Sequence, residues 1–508
     1  MGTEEAPVAG QDAYRFLAFD LGAESGRLVL GTVEQGRLGL EVIHRFRTEG
    51  LFMLGVRQWD LARIYEEMIA GLAEAVRRFG PRFDGIGVDT WGVDFGLLDG
   101  EGQLLGNPVH YRDARTEGMH EKVFSRVPKA DIYQATGIQF LPFNTVYQLL
   151  SLVERDAPVL KAADKILLMG DLFGYLLSGV KACEYTNAST TQLLDARNRT
   201  WHDGLCEGLG IPRTLFLEPT PPGTVLGPVL PDIAARTGLD PATPVIAPAT
   251  HDTASAVAAV PVTDATEDWA YLSSGTWSLL GAEIAEPCIT EASLAEDFTN
   301  EGGVAGTIRF LKNIFGLWLV QECRRHWETG GESLDYGELT RDAASSPPFA
   351  SIIDLGDPRL FAPTDMPGLI QTLCRESGQP VPENRPAIVR CALESLALKY
   401  RQTLRSLDAV LGRETRRLYI IGGGVQNTLL CQMTADACGI PVVAGPVEAT
   451  AIGNIGVQAL AVGAVSGLAE MRALSAASGG IVQYEPENTA NWDEAAAAFA
   501  ARYANGQD

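Results

Sequence analysis

Five short stretches bring together residue types that can do chemistry. In Thr250-His251-Asp252 a carboxylate stands between an apolar strand pattern and a small-residue helix pattern, where it suits a general base facing a cleft. His251 beside it can hydrogen-bond a sugar hydroxyl. Asp252 fits equally as the cap of a helix beginning at Thr253, so both roles stay open. In DLGAESGR (20–27), Gly22, Ala23, Ser25 and Gly26 let backbone N–H groups approach an anion, Arg27 adds charge, and Asp20 can hold Mg²⁺ through water. A plain hairpin turn has the same composition, and the glycine spacing fits neither a Walker A loop nor a dinucleotide fingerprint. SSGTWS (273–278) repeats the theme, with Ser274, Gly275 and Thr276 as donors or as another hairpin turn. Gly422-Gly423-Gly424 lets a flat ring or a ribose lie against bare backbone, or else lets a strand and a helix pack closely. In DTWGVD (89–94), Trp91 offers a platform for a sugar face, Gly92 exposes backbone, and Asp89 and Asp94 can bind hydroxyls. The alternative there is a Trp buried in a hairpin.

These residues need elements to position them. Residues 14–34 alternate as a β-hairpin around the DLGAESGR turn. Leu61, Ile64, Met68, Leu72 and Val76 fall at helical spacing, with Asp60 as cap and Gly80-Pro81 as stop. Residues 84–102 are strand-like, and 244–261 predict a short strand followed by a helix. A second hairpin at 269–284 echoes the first about half a chain later. Helices are predicted over 313–328 and 387–412, the latter ending at Gly412. Residues 417–442 predict strand, triple-Gly turn, helix and strand. The chain is therefore α/β, with a weak internal repeat and a boundary within 261–268.

Composition narrows the function. The chain has 508 residues, 40 Lys and Arg against 64 Asp and Glu, and a net charge of −24. Non-specific nucleic-acid binding and docking on an anionic membrane are both disfavoured. No apolar stretch is long enough for a membrane span, and the N-terminus lacks a signal-peptide pattern. The eight Cys show no zinc-type spacing, which suits reduced thiols in a cytoplasmic protein.

Taken together, DLGAESGR, GVDTWGVDFGLLD, YRDAR (111–115), EYTNASTTQL (184–193), THDTASAV, YLSSGTWSL, TNEGG (299–303), LKNIFGLWL (311–319), IGGGVQNTLL and ADACGIPVVAGPVEATAIGN (435–454) resemble the FGGY carbohydrate kinases. The resemblance runs from about residue 14 to about residue 465. It implies two actin-like, RNase-H-like ATPase domains around a central catalytic cleft. Those domains are expected at 14–262, for sugar and phosphate, and 263–490, for nucleotide. A disordered tail is expected at 1–13, and a C-terminal helix and tail at 491–508. Within the family the blocks are most similar to members that phosphorylate L-rhamnulose at its 1-hydroxyl with ATP. Fuculose- or xylulose-type kinases are the nearest alternative, and a sugar-free actin-like ATPase a more distant one. By matching motif, the resemblance assigns Asp252 as proton acceptor and Gly92, His251, Asp252, Thr253 and Asn313 to the sugar. It assigns Ala23, Glu24, Ser25, Gly26, Arg27, Thr276, Gln321 and Gly423 to ATP, and Asp20 to Mg²⁺. Glu24 stands where relatives often carry Ser, so its carboxylate must point away from phosphate. The resemblance further implies a small-molecule sugar as partner, a monomer or small homo-oligomer, and a Cys374–Cys391 disulfide in some relatives.

Overall fold

A computed structural model describes residues 13–264, 266–361 and 363–503. The expected N-terminal tail, apart from Ala13, and the last five residues lie outside that range. By contact the chain forms two units. The first runs up to Thr263 and adds 284–309 and 449–479; the second holds 264–283, 310–448 and the chain from 480 on. The sequence leads one to expect contiguous domains at 14–262 and 263–490. Contact instead joins 284–309 and 449–479 to the first unit.

Numbering the strands of the two main sheets in chain order, the first unit has β1 (Tyr14–Leu21), β2 (Ser25–Glu34), β3 (Arg37–Arg47), β4 (Gly85–Thr90), β5 (Thr224–Pro228) and β6 (Pro244–Ala247). They lie in the order β5-β6-β4-β1-β2-β3. β1 is antiparallel to β2 and parallel to β4, and β6 is parallel to β4. Phe16, Leu17, Ala18 and Phe19 are all buried, as a central strand covered on both faces requires. Helix α1 (Leu61–Phe79) buries Leu61, Ile64, Met68 and Leu72. The Asp60 carboxylate accepts from the Arg63 N–H, and Gly80 ends the helix at φ 83°.

The second unit repeats the plan with β7 (Trp269–Ser274), β8 (Trp277–Ile284), β9 (Ile308–Phe315, from Phe310 on), β10 (Arg417–Ile421), β11 (Val442–Ala444) and β12 (Val482–Tyr484). The order is β9-β8-β7-β10-β11-β12. Again the first strand is antiparallel to the second and parallel to the fourth. The echo between the two hairpins is thus an echo of topology.

Three further helices frame the sites. Helix α2 is Asp252–Ala258, α3 is Trp318–Glu328, and α4 (Arg385–Leu411) ends at Gly412 in the left-handed region as expected. The helix expected over 313–328 begins five residues later, because Asn313 to Phe315 complete β9. A short apolar run has no period that separates strand from helix, and pairing with the sheet decides it. Helix α5 is Thr428–Cys438, and α6 is Ala449–Ala461.

α6 packs directly on α2. A Cβ on Gly453 would lie 1.7 Å from the Ser255 carbonyl oxygen, so only glycine permits this approach. Gly453→Ala is expected to force the two helices apart and cost about 1–3 kcal/mol through overpacking. Thermal unfolding should show a lowered Tm. Activity should fall with it, since α2 begins at Asp252. An unchanged Tm would refute this account of the contact.

Candidate active site

In the first unit, three carboxylates gather where β1, β4 and α2 meet. Asp20 is the penultimate residue of β1, and the sheet register places it opposite Asp89 on β4 and Arg27 on β2. Arg27 Nε and Nη2 both donate to Asp20 Oδ2, at 2.9 and 2.6 Å. The residue expected at phosphate and the residue expected at metal are therefore paired with each other. Asp89 is fully buried and accepts from Asn454 Nδ2 of α6 at 2.6 Å. Burial, followed by repulsion from Asp20, pushes its pKa well up, and its burial closes it to sugar hydroxyls.

The turn after Asp20 is tied at its base. Gly22 N–H donates to Ser25 O at 2.9 Å, and Thr48 Oγ1 donates to Gly22 O at 2.5 Å. Glu24 and Ser25 are exposed at its tip, with Ala23 half-buried. Gly26 is different. A Cβ there would meet the Phe46 ring at 2.6 Å, so core packing alone explains the glycine.

The DTWGVD and THD segments are neighbours. Thr90 N–H donates to Thr250 O at 2.8 Å, and Thr90 and His251 form a parallel bridge. Gly92 faces His251 and Thr190: a Cβ there would sit 3.3 Å from His251 Nε2 and 3.4 Å from Thr190 Oγ1. The space beside Gly92 is thus lined by polar atoms. Asp252 is the first residue of α2, with His251 in the cap position, so it is not itself the N-cap. Its Oδ1 accepts from Thr253 N and Thr253 Oγ1, at 2.5 and 3.1 Å. The side chain keeps 32% of its surface open, so a substrate can reach it. Surrounding protein, then the Asp20 charge, raises its pKa to about 7, a value suited to a general base at neutral pH.

Several supports carry no signal in the local motifs. The fully buried Glu184 carboxylate accepts from Thr250 N and Oγ1, both at 2.9 Å, and from Thr186 N and Oγ1. It ties the THD loop to the EYTNAST segment. His251 Nδ1 lies 3.0 Å from Nη2 of Arg309, which is wholly buried and paired with Glu301 at 3.0 Å. A lone Arg inside the apolar run IRFL is the sequence signal that could have marked it.

Trp91 and Asp94 depart from the sequence reading. Trp91 is buried and covered by Trp59, their ring centroids 3.9 Å apart, so its face is not open to a sugar. Asp94 accepts from Trp59 Nε1, Trp91 Nε1, Tyr111 N and Gln148 Nε2 at 2.7–3.1 Å. With both oxygens engaged it is a structural hub. Burial still raises its pKa to about 6.

In the second unit the triple-glycine turn resolves residue by residue. Gly422 lies at φ 85°, and a Cβ on Gly424 would fall 2.0 Å from Ser274 Oγ. Those two glycines are required by packing on SSGTWS. Gly423 has nothing within 4 Å of its Cβ position and is exposed, which leaves bare backbone available to a ligand. The turn 274–277 is held by Gly275 N–H to Trp277 O at 2.9 Å, and Leu317 N–H donates to Gly275 O at 2.9 Å. Gln321 lies on α3, and its Oε1 is buried without a hydrogen-bond partner among the described residues. Asn313 sits near the end of β9 and belongs, like Thr276, Gln321 and Gly423, to the second unit. Asp20, Ala23–Arg27, Gly92, His251, Asp252 and Thr253 all belong to the first.

The FGGY N-terminal domain matches residues 15–259 and the FGGY C-terminal domain matches residues 270–462. The chain belongs to the FGGY family of carbohydrate kinases. Curated rhamnulokinases are similar to this FGGY kinase along nearly their whole length. The protein from Bacteroides thetaiotaomicron is 47% identical, covering 94% of this chain and 97% of its own. That from Pectobacterium carotovorum is 46% identical, covering 90% of each chain. Among solved structures, a ligand-bound xylulose kinase from Lactobacillus acidophilus has a TM-score of 0.77 at 16% identity, covering 97% of this chain and 99% of that one. Plasmodium falciparum glycerol kinase with ADP has a TM-score of 0.73 at 16% identity, covering 97% of each chain. These structures share the fold of this FGGY kinase. No helix among the described residues is long and apolar enough to cross a membrane.

As a kinase the protein uses ATP. Among the described residues no group of three or more His, Cys, Asp or Glu is assembled to hold a metal. A nucleotide-bound Mg²⁺ brings phosphate and water ligands and needs few from protein, so an oxygen donor such as Asp20 fits it. The eight cysteines are free, and Cys374 and Cys391 face each other unbonded, with sulfurs 3.9 Å apart.

With its pKa raised, Asp252 would make the reaction acid-sensitive if it serves as the base, because a base works only when ionised. As pH falls through about 7, kcat/KM is expected to drop about tenfold per unit, with a plateau above. Initial rates of ADP release against pH check this. A profile flat down to the ordinary carboxylate range would remove Asp252 as the titrating base.

Proposed function

We propose that this kinase transfers the γ-phosphoryl group of ATP to the 1-hydroxyl of L-rhamnulose, giving L-rhamnulose 1-phosphate and ADP. The observation that carries the substrate is the 47% identity to a rhamnulokinase over 94% of the chain. Xylulose and glycerol kinases share the fold at 16% identity, too distant to speak for the sugar.

Phosphoryl transfer asks the protein for alignment and charge stabilisation more than for covalent chemistry. Asp252 accepts the proton of the attacking hydroxyl while Thr253 orients the carboxylate. In the first unit His251, Thr253 and the open backbone at Gly92 hold the sugar. In the first unit the turn Ala23–Arg27 receives ATP phosphate oxygens. Gln321 and the bare backbone of Gly423 take the nucleoside. Mg²⁺, held by Asp20, supplies charge neutralisation at the phosphates when bound. Free thiols and the absence of a long apolar helix among the described residues suit the cytoplasm.

ATP consumption across a panel of ketoses tests the reading. L-rhamnulose should give the highest kcat/KM, with fuculose and xylulose weaker and almost no turnover without sugar. Equal ATPase with and without sugar would refute a kinase, and a preferred xylulose would move the substrate. Asp252→Asn should keep sugar binding and lose about 10²–10⁴-fold in kcat. A near-normal kcat would end its role as base.

A further inference from the structure

We propose that Arg309 is a positioning residue that sets the tautomer of His251, making Nε2 a hydrogen donor toward the space beside Gly92 and Asp252. Arg309 Nη2 lies 3.0 Å from His251 Nδ1. A guanidinium nitrogen only donates, so Nδ1 must present its lone pair. A neutral imidazole carries one N–H, which is then on Nε2. Burial, followed by the Arg309 charge, drives the His251 pKa well down, so the ring stays neutral.

The competing arrangement is visible in the same cluster. Glu301 Oε2 is 3.6 Å from Nδ1 and would accept from an Nδ1–H. Two contacts work against it. Arg309 Nη2 pairs with Glu301 Oε2 at 3.0 Å, and Arg309 Nε donates to Gly302 O at 2.8 Å. The guanidinium is thus anchored between Nδ1 and the carboxylate, with Glu301 engaged as its counter-charge.

The consequence lies on the other side of the ring. Nε2 is 3.5 Å from Asp252 Oδ1 and borders the space that a side chain on Gly92 would fill. A ligand oxygen placed there accepts from Nε2–H. If it is a hydroxyl, its own proton must turn to another acceptor, and ionised Asp252 is the one at hand. The direction of that hydrogen-bond chain starts at Arg309. This consequence rests on the carbohydrate reading, whereas the tautomer is a property of the resting protein and is measured without substrate.

Protein labelled with ¹⁵N-histidine gives one imidazole pair for each of six His, and His251→Gln assigns the pair sought. Near neutral pH the wild type should show an unprotonated Nδ1 and a protonated Nε2. Arg309→Lys retains a donor and should keep that pattern, with KM for the ketose close to wild type. Arg309→Met leaves Glu301 without its partner, so the proton should move to Nδ1 and KM should rise about tenfold, with a smaller change in kcat. Wild-type protein with Nδ1 protonated, or with an imidazolium, overturns the proposal. So does folded Arg309→Met that keeps the wild-type tautomer and KM. If Arg309→Met does not fold, the wild-type and Arg309→Lys spectra decide. A ketose that proves not to be a substrate moves the proposed function and leaves the tautomer result standing.

Discussion

Mutual repulsion among Asp20, Asp89 and Asp252 is the constraint on which the first unit depends. Asp20 and Asp252 raise the cost of ionising Asp89, Asp20 does the same to Asp252, and burial adds to both. The surroundings contain that repulsion unequally. Asp20 receives Arg27, Asp89 receives Asn454 with its pKa pushed well up by burial, and Asp252 is left near the balance point at about 7. One acid is thereby paired with a cation, one is held by an amide in the dry interior, and one remains open to exchange its proton. The stability sign follows. Asp252 binds its proton more tightly when folded, so its favourable contribution is present in acid and fades as pH rises through about 7.

The same constraint explains features of the backbone that would otherwise look incidental. Gln458 donates to Leu17 O and to Asn454 Oδ1, so α6 brings a polar ladder against β1 and β4. That ladder needs room. A Cβ on Gly87 would lie 2.5 Å from Asn454 Oδ1, and one on Gly85 2.6 Å from Gln458 Oε1. The alternating glycines of β4 are thus the counterpart of polar residues some 370 positions later, and they keep Asp89 reachable by Asn454.

This separates what the sequence makes legible from what it hides. Both hairpins, α1 with its Asp60 cap, and α4 with its Gly412 stop are local patterns, and they appear where periodicity and capping place them. Asp252 and the glycine turns are visible as chemistry because their types and spacing are local too. The start of α3 is not, since pairing of Asn313–Phe315 with the sheet overrides an apolar run. The role of Asp94 is hidden for a related reason. Its partners Trp59 and Gln148 are 35 and 54 residues away, and only folding shows that they use up its oxygens. Glu184 and Arg309 act on Thr250 and His251 across similar separations. A triplet of glycines reads alike at every position, yet one of the three is bare and two are packed.

The net charge of −24 seems ill-suited to a protein that handles ATP. Distance and partnership decide otherwise. At physiological ionic strength the screening length is about 8 Å, so exposed acids farther away act weakly on a bound phosphate. Asp20 lies close to the turn, and Arg27 holds it by two hydrogen bonds. Asp89 is fully buried, and burial pushes its pKa well up. At the turn, half-buried Ala23 and exposed Ser25 flank Glu24, whose side chain is exposed. An acidic protein can bind a polyanion when a carboxylate close to the turn is already paired with a cation. Loss of Arg27 would therefore leave the Asp20 carboxylate without the cation that offsets it.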